Sequence, residues 1–219
     1  MHFTISNIRL PVLLSLSFLA SQTAAVTQRL LSDLSFGQST PLSPNLRAIP
    51  GFSIVATRHT PQLLSDRIIL TPPAPGSARG AVWSTNTLPD SAKEWTAELF
   101  FRAGGEERGS GNIQIWYVAD GERTIGQNSL YSVQKFDGLV LVVDQHGGRG
   151  GSVRGFLNDG QTDYRSRHSV DDLAFGRCDF SYRNLGRWST VKLYSGNNGL
   201  KVEVDGRKCF ESDKVRVTI

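Results

Sequence analysis

The sequence predicts an all-β fold, an antiparallel two-sheet sandwich or jelly roll built as one domain. Three observations predict it. Short apolar or alternating runs recur along the chain, separated by Gly, Pro, Asn and Asp. No capped helical pattern longer than about two turns interrupts them. Strands do not alternate with helices, as a parallel βαβ sheet would require.

The elements follow in order. Leu30 to Leu34 reads as a short helix or a strand entrance. Arg67 to Thr71 is a strand ended by Pro72-Pro73, which lack the N–H groups a central ladder needs. Ala81 to Ser84 is the next. Trp95 to Arg102 alternates, with Trp95, Ala97, Leu99 and Phe101 on one face. A Gly-rich loop from Gly104 to Gly111 leads into Ile113 to Val118. Leu139 to Val143 is continuously apolar, as in a strand covered on both sides. Val153 to Leu157, Thr190 to Tyr194, Leu200 to Val204 and Val215 to Ile219 bring the total to about nine strands. Asn158-Asp159-Gly160 and Gly196-Asn197-Asn198-Gly199 read as hairpin turns, since Asn and Gly tolerate positive φ.

Composition narrows the function classes. At 219 residues, 39% of them hydrophobic, the chain is long enough for a sizeable core. A net charge of +4 with the basic residues scattered singly offers no electrostatic footprint for nucleic acid. Two cysteines and four histidines rule out a zinc-cluster protein.

Residues 1–25 read as a secretory signal peptide, leaving 26–219 as the mature domain. Arg9 supplies the positive start, Leu10 to Ala20 the apolar run, and Thr23-Ala24-Ala25 the small residues before a cut. The run is short of the roughly 18 to 20 residues that cross a bilayer as a helix, and an uncleaved anchor is the alternative. In an oxidising lumen Cys178 and Cys209 most economically form one disulfide, closing a loop of about 32 residues worth roughly 3.5 to 4 kcal/mol. Two buried thiols are the other reading.

Catalytic signals are sparse. Glu203-Val204-Asp205 places two acids on one strand face, as glycan-cleaving sandwiches do, but Gly206, Arg207 and Lys208 follow where a third acid belongs. A solvated strand end with a turn at Asp205-Gly206 is the better reading. No Gly-x-Ser-x-Gly elbow is present. Gly147 to Ser152 lacks the Lys-Ser/Thr ending of a phosphate cradle and reads as a rim loop.

Several blocks together resemble a known family: Gly80-Ala81-Val82-Trp83-Ser84, Trp95-Thr96-Ala97-Glu98-Leu99, Ile113-Gln114-Ile115-Trp116-Tyr117, Phe136-Asp137-Gly138-Leu139 leading to Asp144, Gly155 to Gly160, and Cys178-Asp179-Phe180 with Tyr182-Arg183-Asn184. In order and spacing, from about Leu34 to Val217, they resemble the lumenal legume-type (L-type) lectin domain of ER–Golgi cargo receptors, fungal branch. The resemblance implies a concanavalin-A-like sandwich and no enzyme. It also implies binding of high-mannose N-glycans on N-glycosylated cargo glycoproteins in the lumen of the ER, ER–Golgi compartment or Golgi. Full-length members are membrane-anchored and oligomeric. On this resemblance the chain, ending at Ile219, is expected to be a C-terminally shortened domain without the family's last core strand, Gly-rich sugar loop, stalk and membrane helix; a genuine short form would be secreted.

The same resemblance supplies site residues. Members that hold a metal begin the site with a strand-ending Asp, matched by Asp144; a backbone carbonyl two residues on falls to His146. Gly148 stands where a ligating Asn is expected and has no side-chain oxygen to offer. A later His-x-x-Asp, giving a sugar contact and another ligand, is matched by His168 and Asp171 if two residues are inserted after Tyr164; without the insertion Ser166 and Ser169 take those places. The family's sugar-binding aspartate falls on Gly111, leaving neighbouring Asn112 as a neutral donor and acceptor. Asn112, Asp144, Gly148 and His168 are thus the expected carbohydrate contacts, and Asp144, His146 and Asp171 the expected metal ligands. No cofactor follows from the residues themselves; calcium enters only through the resemblance. Trp116 and Tyr117 read as core neighbours and not as sugar platforms. Two further functions stay in view: a protein-interaction sandwich that has lost sugar binding, and a glycoside hydrolase using Glu203 and Asp205.

Overall fold

Two antiparallel sheets face each other across a hydrophobic core in the computed structural model, which describes residues 1–7, 27–38, 41–72, 76–106, 111–124, 135–145, 150–164 and 171–213. The larger sheet has the strand order β14 (Arg207–Ser212), β13 (Gly199–Val204), β12 (Ser189–Gly196), β7 (Trp95–Phe101), β1 (His2–Asn7) and β2 (Thr27–Leu30). The smaller runs β11 (Gly176–Asp179), β10 (Ser152–Asp159), β9 (Asp137–Asp144) and β8 (Ile113–Val118). Two-stranded pairs, β3 (Phe52–Thr57) with β6 (Arg79–Ser84) and β4 (Gln62–Leu63) with β5 (Ile68–Ile69), carry a separate small core around Leu42, Ile49 and Leu63.

The period-two pattern decides which side chains meet. From the larger sheet Trp95, Ala97, Phe101, Val191, Leu193, Leu200, Val202 and Val204 point inward; Leu139, Leu141, Val143 and Val153 meet them from the smaller sheet. Leu139 to Val143 is buried throughout, as its unbroken apolar run predicts. Its outward residues Val140 and Val142 lie under a second cluster with Phe136, Phe156 and Tyr164. The Cys178–Cys209 disulfide forms, with Cα atoms 5.3 Å apart, and it ties β11 at the edge of one sheet to β14 at the edge of the other.

The turn predictions divide. Gly196 and Gly199 pair across a true hairpin between β12 and β13. Asp205 (φ 49) and Gly206 (φ 75) form the two-residue turn into β14, as the sequence predicts. Asn158-Asp159-Gly160 makes no hairpin. Asn158 and Asp159 stay in β10, and the Asn158 amide instead closes the following loop, donating to the Thr162 carbonyl at 2.6 Å and accepting from its N–H at 3.1 Å. Leu30 to Leu34 combines both alternatives, a strand end and a 3-10 turn at Ser32–Leu34. The expected strand Val215 to Ile219 lies outside the described residues. Met1 to Asn7, within the expected leader, forms an edge of the core: β1 pairs with β7 and β2, and Phe3 packs on Trp95 with ring centroids 6.0 Å apart. Among the described residues no helix is long and apolar enough to cross a membrane.

Candidate functional site

The outward face of the smaller sheet positions the site. Alternation places Gln114 and Trp116 of β8, Val140, Val142 and Asp144 of β9, and Ser152, Arg154 and Phe156 of β10 on that one face. Asn112 immediately precedes Ile113, whose cross-strand partner is Val143, so it sits beside Asp144 at the same end of the sheet. Ser152 pairs with Asp144 and donates its hydroxyl to Oδ1 at 3.3 Å.

Arg154 organises the group. The residue is only 6% exposed, and its guanidinium forks between two acids. Nη2 donates to Asp144 Oδ2 at 2.6 Å and Nη1 to Asp171 Oδ1 at 2.6 Å. The cation also lies 5.5 Å from the Phe156 ring centroid, over the Trp116–Phe136–Tyr164–Phe156 aromatic cluster. The two expected acids, 27 positions apart in sequence, therefore meet on one side chain. His146, Gly148 and His168 lie outside the described residues.

The resemblance allows calcium between these acids, and the described residues do not fit a divalent cation as arranged. Calcium takes about 6 to 8 oxygen ligands. Here the space between the carboxylates is filled by a buried cation with donors only, and Gly148 brings no side-chain oxygen. Arg154 Nε, buried and without a hydrogen-bond partner among the described residues, is one more donor, never a metal ligand.

The neighbouring rim also differs from expectation in charge. At Gly111 the backbone has φ +142, a conformation that an aspartate would adopt only with strain. A Cβ there would stand 3.0 Å from Arg183 Nη2. Tyr182 Oη and Arg183 Nη2 both donate to the Gly111 carbonyl, at 3.0 and 3.2 Å, so the loop before Asn112 is pinned by its backbone. Trp116 and Tyr117 are packing residues: Trp116 meets Phe136 edge-on at 5.3 Å, and Tyr117 packs on Trp95 at 4.9 Å.

Glu203 and Asp205 serve other partners. Hydrogen bonding from Lys201, joined by Tyr194 and opposed by burial, holds the Glu203 carboxyl below its usual range. Burial raises the Asp205 carboxyl, but Arg187 and the Thr190 N–H outweigh it and hold it low. A glycosidase acid needs the opposite shift, towards the protonated form.

Sequence reading missed Arg154. The available signal was a charged residue inside the otherwise apolar run Val153 to Leu157, since a buried charge must be paired.

Comparison with known proteins agrees with this architecture. A family model described as the legume-like lectin family matches residues 30–218. Protein EMP47 of Saccharomyces cerevisiae is 32% identical over 189 residues, covering 84% of this chain and 41% of the relative, so the chain spans less than half of that relative's length. The crystal structure of the Emp47p carbohydrate recognition domain superposes with a TM-score of 0.68 at 28% identity, covering 85% of this chain and 82% of that one. The VIP36 exoplasmic/lumenal domain, solved with Ca2+ and mannose, shares the fold with a TM-score of 0.67 at 18% identity, covering 83% of this chain and 77% of that one. The carbohydrate recognition domain of Emp46p was solved in a potassium-bound form (TM-score 0.60, 24% identity, 82% of each chain covered).

Proposed function

The chain belongs to the legume-like lectin family, and from that premise we propose that it is a carbohydrate-binding module for high-mannose N-glycans on glycoprotein cargo travelling from the ER to the Golgi. The observation that carries this reading is the convergence of Asn112, Asp144 and Asp171 at one end of the outward sheet face, joined by Arg154. Support also comes from the relatives: Emp47p's matching part is titled a carbohydrate recognition domain, and VIP36 was solved holding mannose.

The residues divide the work. Asp144 contributes a carboxylate acceptor for sugar hydroxyls, with Arg154 and Ser152 fixing its orientation. Asn112 supplies a neutral amide beside it. Gly148 and His168 are the other carbohydrate contacts in this proposal. The site works by binding and orienting, with no covalent step. Entry into the lumen through a leader at residues 1–25 belongs to the same proposal.

A glycan array tests it. Signal confined to high-mannose structures, and lost in Asp144→Asn, is the expected result. Silence across the array overturns the reading and favours the protein-interaction alternative, which the lack of an acid at Gly111 beside Arg183 supports.

A further inference from the structure

We propose that Arg154 is the built-in counter-cation of this rim: its guanidinium does the positioning a metal ion would do, and the site keeps its shape without one. The proposal deepens the lectin reading, on which the expectation of a metal rests, but its test uses no sugar.

The argument is geometric. A cation that organises a rim must neutralise facing carboxylates, hold separate chain segments in register and stay dry enough for its field to count. Arg154 meets each demand. It neutralises Asp144 at the end of β9 and Asp171 in the 3-10 turn Asp171–Leu173 with one hydrogen bond each, both 2.6 Å long. It thereby links the segment after β9 to the segment that leads into β11. Its base sits in the middle of a sheet, opposite Val142, so the fork is aimed by a strand held between two neighbours and not by a loop. Phe156 beneath the guanidinium shields it and adds an attractive ring face.

Calcium cannot simply join this arrangement. A divalent ion between the two acids would face a fixed, buried cation a few ångströms away, and Gly148 contributes no side-chain ligand to compensate. Expelling the guanidinium would leave a buried charge with no partner. A lysine would not serve either, because a point charge on one stem lacks the two-pronged fork that reaches both carboxylates.

The experiment is a set of thermal melts of the full chain. Wild type is expected to melt at the same temperature in millimolar calcium chloride and in excess EDTA. Arg154→Gln, shorter and neutral, is expected to melt lower by about 5 °C or more, because both carboxylates then lose the cation they share. Adding Asp144→Asn to Arg154→Gln should recover a large part of that loss, a rescue that a purely packing role for the arginine stem would not give. Should Arg154→Gln fail to fold, recovery of a folded, melting protein in the double variant is the same rescue. The proposal is overturned if calcium raises the wild-type melting temperature and Asp144→Asn abolishes the rise. It is equally overturned if the double variant melts no higher than Arg154→Gln, or fails to fold alongside it. A silent glycan array together with this melting pattern would sink the sugar reading and leave the counter-cation standing.

Discussion

β9 and β12 are each eight residues long and each lies inside its sheet, yet one is dry on both faces and the other on one. In β9 every residue from Gly138 to Val143 is buried, with the shared core on one side and the Phe136–Phe156–Tyr164 cluster on the other. In β12 Val191 and Leu193 are buried, while Lys192 and Tyr194 between and beyond them are partly exposed. The consequence shows in how charge is handled. Outside β12 a loose network forms: Tyr194 donates its hydroxyl to Glu203, Lys201 pairs with Glu203, and the ammonium groups of Lys192 and Lys201 lie 5.3 and 4.9 Å from the Tyr194 ring centroid. Water screens such contacts, and each is worth little. Beside β9 there is no such freedom, and one arginine is held at 2.6 Å by two acids at once. Covering the second face turns a charge from ornament into structure.

The comparison breaks most directly at equivalent mid-strand positions. Val140, on the outward face of β9, is 0% exposed, and Val140→Ala is expected to cost about 2 to 3 kcal/mol, from lost burial and the cavity left behind. Lys192→Ala on the wet face of β12 is expected to change stability by no more than about 0.5 kcal/mol. Urea unfolding of the two variants at one pH measures both; comparable losses would show that the two strands are not differently covered after all.

That difference in cover also explains what the sequence could tell. The unbroken run Leu139 to Val143 announces a doubly covered strand, and the alternation of Trp95 to Phe101 announces a singly covered one; both emerge in the structure. Edge strands are quieter. Gly176–Asp179 and Arg207–Ser212 are mostly polar, and only Cys178, Cys209 and the Asp205-Gly206 turn hint at them, because an edge needs fewer apolar side chains to be held. Phe52–Thr57 forms a two-stranded pair with β6 among the described residues, away from the main core, and its short alternation went unread. Within the site, Asp144 was legible only through the family resemblance. The choice of Arg154 as its partner was not, because β10 folding back on β9 and the return of Asp171 are long-range facts that no local pattern carries.

A smaller effect concerns β1, the strand that widens the larger sheet. Burial lowers the Met1 amine to about 6 from its ordinary 8.0, opposed by Glu98, and the amine donates to the Phe36 carbonyl at 3.0 Å. Between those two values the unfolded chain binds more protons than the folded one, so stability should rise as pH increases through that window. Tempered by partial exposure, the gain is expected to be about 1 to 2 kcal/mol for the chain beginning at Met1. Protein exported through the proposed leader should begin at Val26 on N-terminal sequencing and lack that slope. A slope persisting in the exported form, with Met1 as its first residue, would place β1 permanently in the sheet and end the leader proposal.

The smallest expected effect lies on the wet face. Lys201 holds the Glu203 carboxyl below its ordinary value, with Tyr194 assisting against the pull of burial. A carboxylate lowered on folding contributes stability that is present above its unfolded value and lost as pH falls through the folded one. Wild type should therefore exceed Glu203→Gln in stability by less than about 1 kcal/mol near neutrality, since the carboxyl's partner Lys201 is exposed and water weakens the pair. The gap should close as the pH drops from about 5 towards 3. Urea midpoints of the two proteins across that range measure it. A gap as large as that expected for Val140→Ala would mean that this network on the open face carries as much weight as the covered strand, contrary to the contrast between β9 and β12.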